Sequence, residues 1–376
     1  MKKDITIHQY QPGDEGEIVE FLHLVFDGWP KFDVSLTSLD HWRWKYLENP
    51  FKRHFIVLGE EDIRIASVNH NFPVRIKIGD KVCLCCYAAD TAVDPEYRRM
   101  GLTKKMYELN ISMKNDAGIH FDYFVTSNPF MIKSFSKNYY SFPFPVMNLV
   151  RIEDIGRQLQ AMPVRNAWLL KLGFHTAKIL NDISRIGSDS DPQKGDITIT
   201  DIDRFDHRID DFWETVSNNY DFIVERRMEY LNWRYCDPRA GDFMIKQAED
   251  GEGRILGYSV LGINKYLGEY HIGYIIDLLT TPNRLDVADA LTADAVRFFD
   301  DQKINIVNAL VFKNHPHERV LSRRGFLDSR IKLQLFLRRG VIEMNELDKL
   351  KTYSPSRMHF SYGDIDSLPV DVPGNR

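Results

Sequence analysis

Hydrophobic and polar positions in this chain switch between a period of two and a period near 3.6, and they do so twice in the same order. The segment ITIHQY at the start reads as a short strand. It is followed by Gly13-Asp14 and a helix with Ile18, Phe21, Leu22 and Val25 on one face. Ser38 and Asp40 predict the start of a second helix through HWRWKYL, closed by Pro50. HFIVLGE and IASVNHNF read as strands joined by a polar turn, followed by VRIKIG and the long VCLCCYAADTAV. After Pro95, Leu102, Met106, Leu109 and Met113 form one helical stripe, and FDYFVTS reads as a buried strand. Strands interleaved with helices predict a mixed α/β sheet.

The second pass is an altered copy of the first. DITI at 4–7 recurs at 196–199, Trp44-Lys45-Tyr46 as Trp233-Arg234-Tyr235, Asp90 and Pro95 as Asp277 and Pro282, and Asn128 as Asn314. Four matches in one order, at an offset that shrinks slowly along the chain, point to a duplicated unit. The predicted organisation is a first domain at 1–155, a linker at 156–195, a second domain at 196–340 and a polar tail at 341–376. Within the linker, NAWLLKLGFHTAKILNDISRIG predicts an amphipathic helix and GSDSDPQKGD a turn-rich connection. With only Lys171, His175 and Lys178 as basic residues, that helix suits packing between domains better than a membrane surface. In the second copy DHRIDDFWETVS and ALTADAVRFFDDQ are helical, and KLQLFLRRG is a late strand.

An apolar content of 43% with 27% charged residues is that of a soluble globular chain, and 376 residues suffice for two cores. A net charge of −5 argues against nucleic acid or anionic lipid as a partner. No apolar run reaches the roughly 20 residues that span a bilayer, and MKKDITIHQY has no apolar signal core, so a cytoplasmic protein without stable membrane association is expected. Cys83, Cys85 and Cys86 lie in a strand-like run without a second ligand pair, which predicts small core residues rather than a metal site.

One motif carries chemistry. Arg98-Arg99-Met100-Gly101-Leu102-Thr103 joins a strand to a helix, and only the first copy has it. Unpaired amides at a helix N-terminus, with the helix dipole behind them, attract phosphate. Gly101 removes the Cβ that would block a ligand, while Arg98, Arg99, Lys104 and Lys105 supply positive charge. Neither GxGxxG at this helix nor GxxxxGK[ST] anywhere is present.

Val93-Asp94-Pro95-Glu96-Tyr97-Arg98-Arg99-Met100-Gly101-Leu102 resembles the V-x-P-x-[YF]-R-x-x-G-[LIV] segment of the GNAT superfamily of N-acetyltransferases, with its [QR]-x-x-G-x-[GA] loop. The resemblance implies that the amides of Arg99, Met100, Gly101, Leu102, Thr103 and Lys104 hold the pyrophosphate of acetyl-CoA. It implies too that the backbone of Ala92 and Val93 pairs with the pantetheine arm and that Asn128 begins a second cofactor-contacting segment. Thr103 departs from the usual Gly or Ala. The whole chain, through WRWKYLENP and LNWRYCDP, is similar to tandem-GNAT proteins. The implied fold is two tandem GNAT folds, each a mixed, mostly antiparallel sheet flanked by helices. In the second copy Asn283-Arg284-Leu285-Asp286-Val287-Ala288 lacks the glycine and adds an acid, so that lobe is not expected to bind CoA.

In this family an amine attacks the thioester directly in a ternary complex, and a carboxylate commonly takes its proton. Asp90, three residues before Val93, is the candidate base and acceptor contact. Asp277 holds the matching place in the lobe without a cofactor loop, which leaves a structural role open. Val93 is the candidate oxyanion donor. The position of the family's thiolate-protonating tyrosine falls on Phe135, leaving Tyr139 and Tyr140 as candidate acids or pocket-wall residues. Trp42 is the candidate acceptor wall, whereas the recurrence of Trp44 suits core. The tail carboxylates Asp364 and Asp366 either reach the cleft between lobes or form a solvated charge run. The resulting expectation is an acetyl-CoA-dependent N-acetyltransferase acting on a small-molecule primary amine such as an amino sugar or amino-acid derivative, with a homodimer left open. Competing readings are a non-catalytic acyl-CoA sensor and an aminoacyl transferase of the peptidoglycan-precursor type.

Overall fold

A computed structural model describes residues 4–137, 139–153, 197–340, 345–366 and 368. The helix predicted around residues 166–187 lies outside these. Elements run in the order β1 (Thr6–Gln9), α1 (Glu15–Phe26), α2 (Ser38–Tyr46), β2 (Phe55–Glu61), β3 (Arg64–Ile78), β4 (Lys81–Val93), α3 (Leu102–Asp116), β5 (Phe121–Thr126), α4 (Pro129–Phe135), β6 (Tyr140–Ser141) and β7 (Val146–Ile152). They continue with β8 (Thr198–Ile202), α5 (Arg208–Ser217), β9 (Phe222–Val224), α6 (Met228–Leu231), β10 (Phe243–Glu249), β11 (Ile255–Asn264), β12 (Ile272–Thr280), α7 (Leu285–Asp301), β13 (Ile306–Phe312), α8 (Pro316–Arg323) and β14 (Leu327–Arg339).

The strands form one sheet in the order β1-β2-β3-β4-β5-β14-β7-β13-β12-β11-β10-β8, with β6 beside β14 and β9 beside β3. Nearly all pairs are antiparallel; β4–β5 and β12–β13 are parallel. This is a mixed α/β fold with a large, mostly antiparallel sheet flanked by helices. The two halves exchange their last strands. β14 pairs with β5 from Gln334 to Arg339, while β7 pairs with β13 along its whole length. VRIKIG is not a separate strand, because Arg64–Ile78 runs on as one strand through Pro73.

Local chemistry explains the helices around the site. A capping box of Thr37 and Asp40 starts α2: Asp40 N–H donates to Thr37 Oγ1 at 3.1 Å and Thr37 N–H donates to Asp40 Oδ2 at 3.3 Å. The box makes Thr37 the N-cap and Ser38 the first helical residue, the start the sequence predicts. The buried stripe of α3 is Leu102, Met106, Asn110 and Lys114, whereas Leu109 and Met113 are half-buried. The donors of its two polar residues have partners, although Asn110 Oδ1 has none. Asn110 Nδ2 donates to Phe55 O at 3.1 Å and Lys114 Nζ bonds Asp122 Oδ2 at 2.7 Å. Cys83 and Cys85 join the main core while Cys86 packs on the opposite face with Phe55 and Ile119, as strand alternation requires.

The halves meet about a near-symmetric pair. Trp44 and Trp233 stack at 4.9 Å and 24°, and each indole N–H donates to the other's carbonyl, at 2.9 and 3.3 Å.

Candidate active site

β4 and β5 are paired only at Cys86–Asp122 and Tyr87–Tyr123. Beyond that β4 stays with β3 and parts from β5, and a bulge opposite Asn69 carries Asp90 at φ +31°. A V-shaped opening results. Asp94 N–H donates to Ala66 O across to β3 at 3.0 Å. By strand alternation the Val93 N–H therefore points the other way, into the opening.

At the end of β4, Asp94 accepts from Glu96 N–H and pairs with Arg64, at 2.8 and 2.7 Å, fixing the turn that leads to α3. Tyr97 and Leu102 are buried against Ala66, so the two ends of the loop are anchored while Arg98, Arg99, Met100, Gly101, Thr103 and Lys104 are exposed. Gly101 has φ +75°, and a Cβ there would meet nothing within 4 Å. Among the described residues no side chain caps α3, whose ladder begins with Lys105 N–H to Gly101 O at 3.2 Å. The first-turn amides and the dipole thus face open space flanked by two arginines, which fits a pyrophosphate. Ala92, near the end of β4, is buried in the main core.

The corresponding helix start in the second half also has no side-chain cap among the described residues, but it carries an acid in place of the glycine turn. Asp286 lies in the first turn of α7 and takes a two-pronged bond from Arg284, at 2.9 and 2.8 Å. The parallel pair β12–β13 also separates after Ile275–Ala309. There the tail enters the opening: Met358, Phe360 and Ser361 pack beside Leu278 and Phe312, and His359 Nε2 bonds Leu278 O at 3.1 Å.

Opposite α3, on the face of β4 that carries Tyr87, lies a buried charge cluster. Lys45 Nζ bridges Asp90 Oδ2 at 2.7 Å and Asp366 Oδ2 at 3.0 Å. Tyr46 OH donates to Asp90 as well. The side chains of Lys45, Asp90 and Asp366 are 5%, 13% and 10% exposed, so the cluster is largely shielded from solvent. Burial raises the Asp90 carboxyl, but the Lys45 ammonium and the donors Lys45 and Tyr46 outweigh it and hold it at about 2. Asp366 moves upward instead, through burial and then the nearby Asp90 charge, against Lys45 and the Tyr87 hydroxyl. His70 stacks on Tyr46 at 4.3 Å. Its Nε2 accepts from Trp42 Nε1 at 3.0 Å, so Nδ1 carries the proton donated to Asp90 O at 2.9 Å. Burial pushes the His70 imidazole down to about 4, keeping it neutral.

Among the sequence candidates, Asp90 sits in this cluster and the Arg98–Lys104 loop at the mouth of the opening. Trp42 is fully buried, packed on Tyr10, Tyr46 and His70; it holds the imidazole rather than lining an acceptor wall. Tyr139 packs with Phe124, Phe135 and Phe336, its hydroxyl 3.4 Å from that of Tyr107. Tyr140 lies under Arg339, away from that cluster. Asn128 is exposed and caps α4, accepting from Phe130 N–H at 2.9 Å. Its structural counterpart is His315, which caps α8 one residue after Asn314, so the sequence pairing was one residue out. The tail carboxylates are inside the protein, not in a solvated charge run. Asp364 bonds Arg226 at 2.6 Å and Asp366 completes the Lys45 cluster. Their only sequence signal is the apolar spacing of Met358, Phe360 and Tyr362 before them.

Residues 6–136 match the acetyltransferase (GNAT) domain family. The first half carries a GNAT acetyltransferase domain. Solved structures extend the likeness to the whole fold. A probable N-acyltransferase from Enterococcus faecalis is 11% identical with a TM-score of 0.59, over 90% of this chain and 73% of that one. Saccharomyces cerevisiae N-myristoyltransferase with bound myristoyl-CoA gives 11%, 0.62, 90% and 79%. A GCN5-related N-acetyltransferase from Anabaena variabilis gives 11%, 0.56, 89% and 72%. No curated protein matches the sequence. Among the described residues no helix is long and apolar enough to cross a membrane, and no group of His, Cys, Asp and Glu could hold a metal ion.

Proposed function

We propose that this GNAT-type N-acyltransferase uses acetyl-CoA and transfers the acetyl group to a primary amine of a small molecule, such as an amino sugar or amino-acid derivative. The observation that carries the reading is the uncapped N-terminus of α3 at the mouth of the β4–β5 opening, with a net-negative cluster on the opposite face. The amides of 99–104 and the arginines take the pyrophosphate, and the pantetheine lies along Ala92 and Val93 as an added strand. Bound there, acetyl-CoA supplies an activated thioester. The chain's own contribution is to orient the thioester by the Val93 N–H and to draw a cationic amine toward Asp90 and Asp366. In this reading the halves are tandem GNAT repeats, and only the first binds CoA, because the second has the acid Asp286 in the first turn of α7 and the tail in its strand opening.

Calorimetry with acetyl-CoA tests the reading on the intact protein and Gly101→Glu. One site per chain, weakened at least about tenfold by the substitution, is expected, since the new carboxylate sits where phosphate must lie. Absence of binding by the intact protein would sink the reading.

A further inference from the structure

Four buried polar side chains behind β4 take no part in the site described so far. Lys114 of α3 pairs with Asp122 at 2.7 Å, and Asn71 and Asn69 lie on β3. They form one directed chain. An ammonium only donates, so Lys114 Nζ, 3.2 Å from Asn71 Oδ1, fixes that amide oxygen toward itself. Asn71 Nδ2 then donates to Asn69 Oδ1 at 3.1 Å, and Asn69 Nδ2 donates to Thr91 Oγ1 at 2.7 Å. The charge on α3 thereby sets the direction of every bond up to β4. At the end the Thr91 oxygen is an acceptor, and its own proton points elsewhere. Among the described residues that proton meets only Ala89 O, at 3.4 Å, beyond the roughly 2.5–3.0 Å of an O–H···O bond. Thr91 is the one exposed residue of β4 past Val82, in the stretch that has lost β5 as a neighbour. The fold does not require this chain. Counting from the matched Asp90 and Asp277, the second half has Leu278 in place of Thr91, with Ser259 and Leu261 in place of Asn69 and Asn71. The directed chain belongs to the half that carries the Gly101 turn.

We propose that Thr91 is a catalytic residue whose hydroxyl donates to the carbonyl oxygen of the bound thioester, beside the Val93 N–H, with Lys114, Asn71 and Asn69 as positioning residues. This rests on the acetyl-CoA reading above. Val93 lies two residues further along the strand, about 7 Å away, and its N–H enters the same opening. As the nitrogen of R–NH2 bonds to the thioester carbon, the carbonyl pair moves onto oxygen, where the Val93 N–H and the Thr91 O–H meet it. Return of that pair expels the C–S pair onto the CoA sulfur. The proton lost by nitrogen ends on the sulfur, giving amide and thiol, and Thr91 keeps its own proton throughout. A donor aimed before the reaction costs no reorganisation when the charge develops. A hydroxyl whose lone pair is already taken by Asn69 meets that condition, and a freely rotating one does not.

The test uses the full chain and acetyl-CoA with an isotope-labelled carbonyl. Infrared difference spectra read the bound thioester carbonyl without any amine present, and each hydrogen bond to its oxygen lowers the stretching frequency. Thr91→Val keeps the shape and the β-branch that suits a strand, and should raise the frequency, while Thr91→Ser should stay at the wild-type value. Asn69→Asp, at about pH 8, replaces the donor by an acceptor, so Thr91 turns its proton inward. Its frequency should rise as in Thr91→Val, and the double substitution should add nothing, whereas a merely structural role for Asn69 would add to the shift. With whichever of n-butylamine, glucosamine and lysine ethyl ester is acetylated, kcat of Thr91→Val should fall at least about tenfold while acetyl-CoA affinity stays within about threefold. A carbonyl band unmoved by Thr91→Val, a double variant that shifts beyond Thr91→Val alone, or a kcat changed by less than about threefold would each overturn the assignment. Failure of the intact protein to bind acetyl-CoA would overturn the cofactor reading and this inference with it.

Discussion

Arg226 lies at the centre of a fully buried network that His359 also faces, and Arg226→Met tests its contribution. Its Nε bonds Asp277 at 2.7 Å, its Nη2 bonds Asp364 at 2.6 Å, and Nη1 donates to Val224 O at 3.0 Å, all at zero exposure. Methionine fills similar volume but leaves the two carboxylates with Tyr258, Tyr235 and Ser361 as donors to Asp277, Ser361 as donor to Asp364, and the His359 imidazole 3.6 Å from Asp277 and 4.0 Å from Asp364. Removing one partner of a buried ion pair costs about 3–5 kcal/mol. The sign of the pH dependence follows. In the wild type burial raises Asp277, but Arg226 more than offsets it and holds the carboxyl low, so the network's contribution is present at neutral pH and lost in acid. In the variant burial loses its main opponent, leaving His359 and the Tyr258 hydroxyl against it, so the carboxyl moves up toward binding a proton in the folded state. Its deficit relative to wild type is then largest near pH 7.5 and narrows toward pH 5. Urea unfolding followed by tryptophan fluorescence at both values measures it, and adding Asp277→Asn should recover about 1–2 kcal/mol. A deficit under about 1 kcal/mol, or one equal at both pH values, would refute the reasoning.

Trp44→Ala removes a stacked ring and one of two reciprocal indole–carbonyl bonds, and should cost about 3–5 kcal/mol in urea unfolding, with Trp44→Phe costing less. Truncation after Arg357 strips Met358, Phe360, Tyr362 and Ile365 from the core. At about 1.5–3 kcal/mol each this matches the whole stability of a domain, so the product should be insoluble, and a soluble, cooperatively unfolding one would contradict the burial. His41, His70 and His317 are held neutral by burial, at about 3, 4 and 3, so the unfolded chain protonates first as pH falls below 6.5. Stability should therefore decline steadily from pH 7 to 5, and His317→Asn should flatten the slope in a urea-midpoint series.

Much of the fold was legible because its signals are local. The strand–turn–helix around Gly101 needs a glycine at positive φ and an amphipathic run after it, and both are written in consecutive residues. The Trp44-Lys45-Tyr46 repeat was readable for the same reason. Its meaning was not, because the tyrosine–aspartate bonds of Tyr46–Asp90 and Tyr235–Asp277 and the stacked indoles join residues far apart in sequence. The stripe of α3 was misjudged at Asn110 and Lys114, since periodicity cannot show that a buried amide or ammonium has found a partner. Trp42 looked like a pocket wall because composition cannot distinguish an aromatic facing a ligand from one bracing a histidine. The tail was least readable: Asp366 enters the site only because apolar residues before it fill the second half's opening.

The exchange of β7 and β14 has a consequence for synthesis. β5 leaves the ribosome without the neighbour it will have, because β14 begins about 200 residues later. At ~5–20 residues per second that is about 10–40 s during which the edge of β5 stays exposed to pairing with other chains. The first half can be translated early, but its sheet is finished only when nearly the whole polypeptide has emerged. Slowing translation between the halves lengthens that interval, and coexpression of the halves as separate chains converts a first-order closure into a concentration-dependent one.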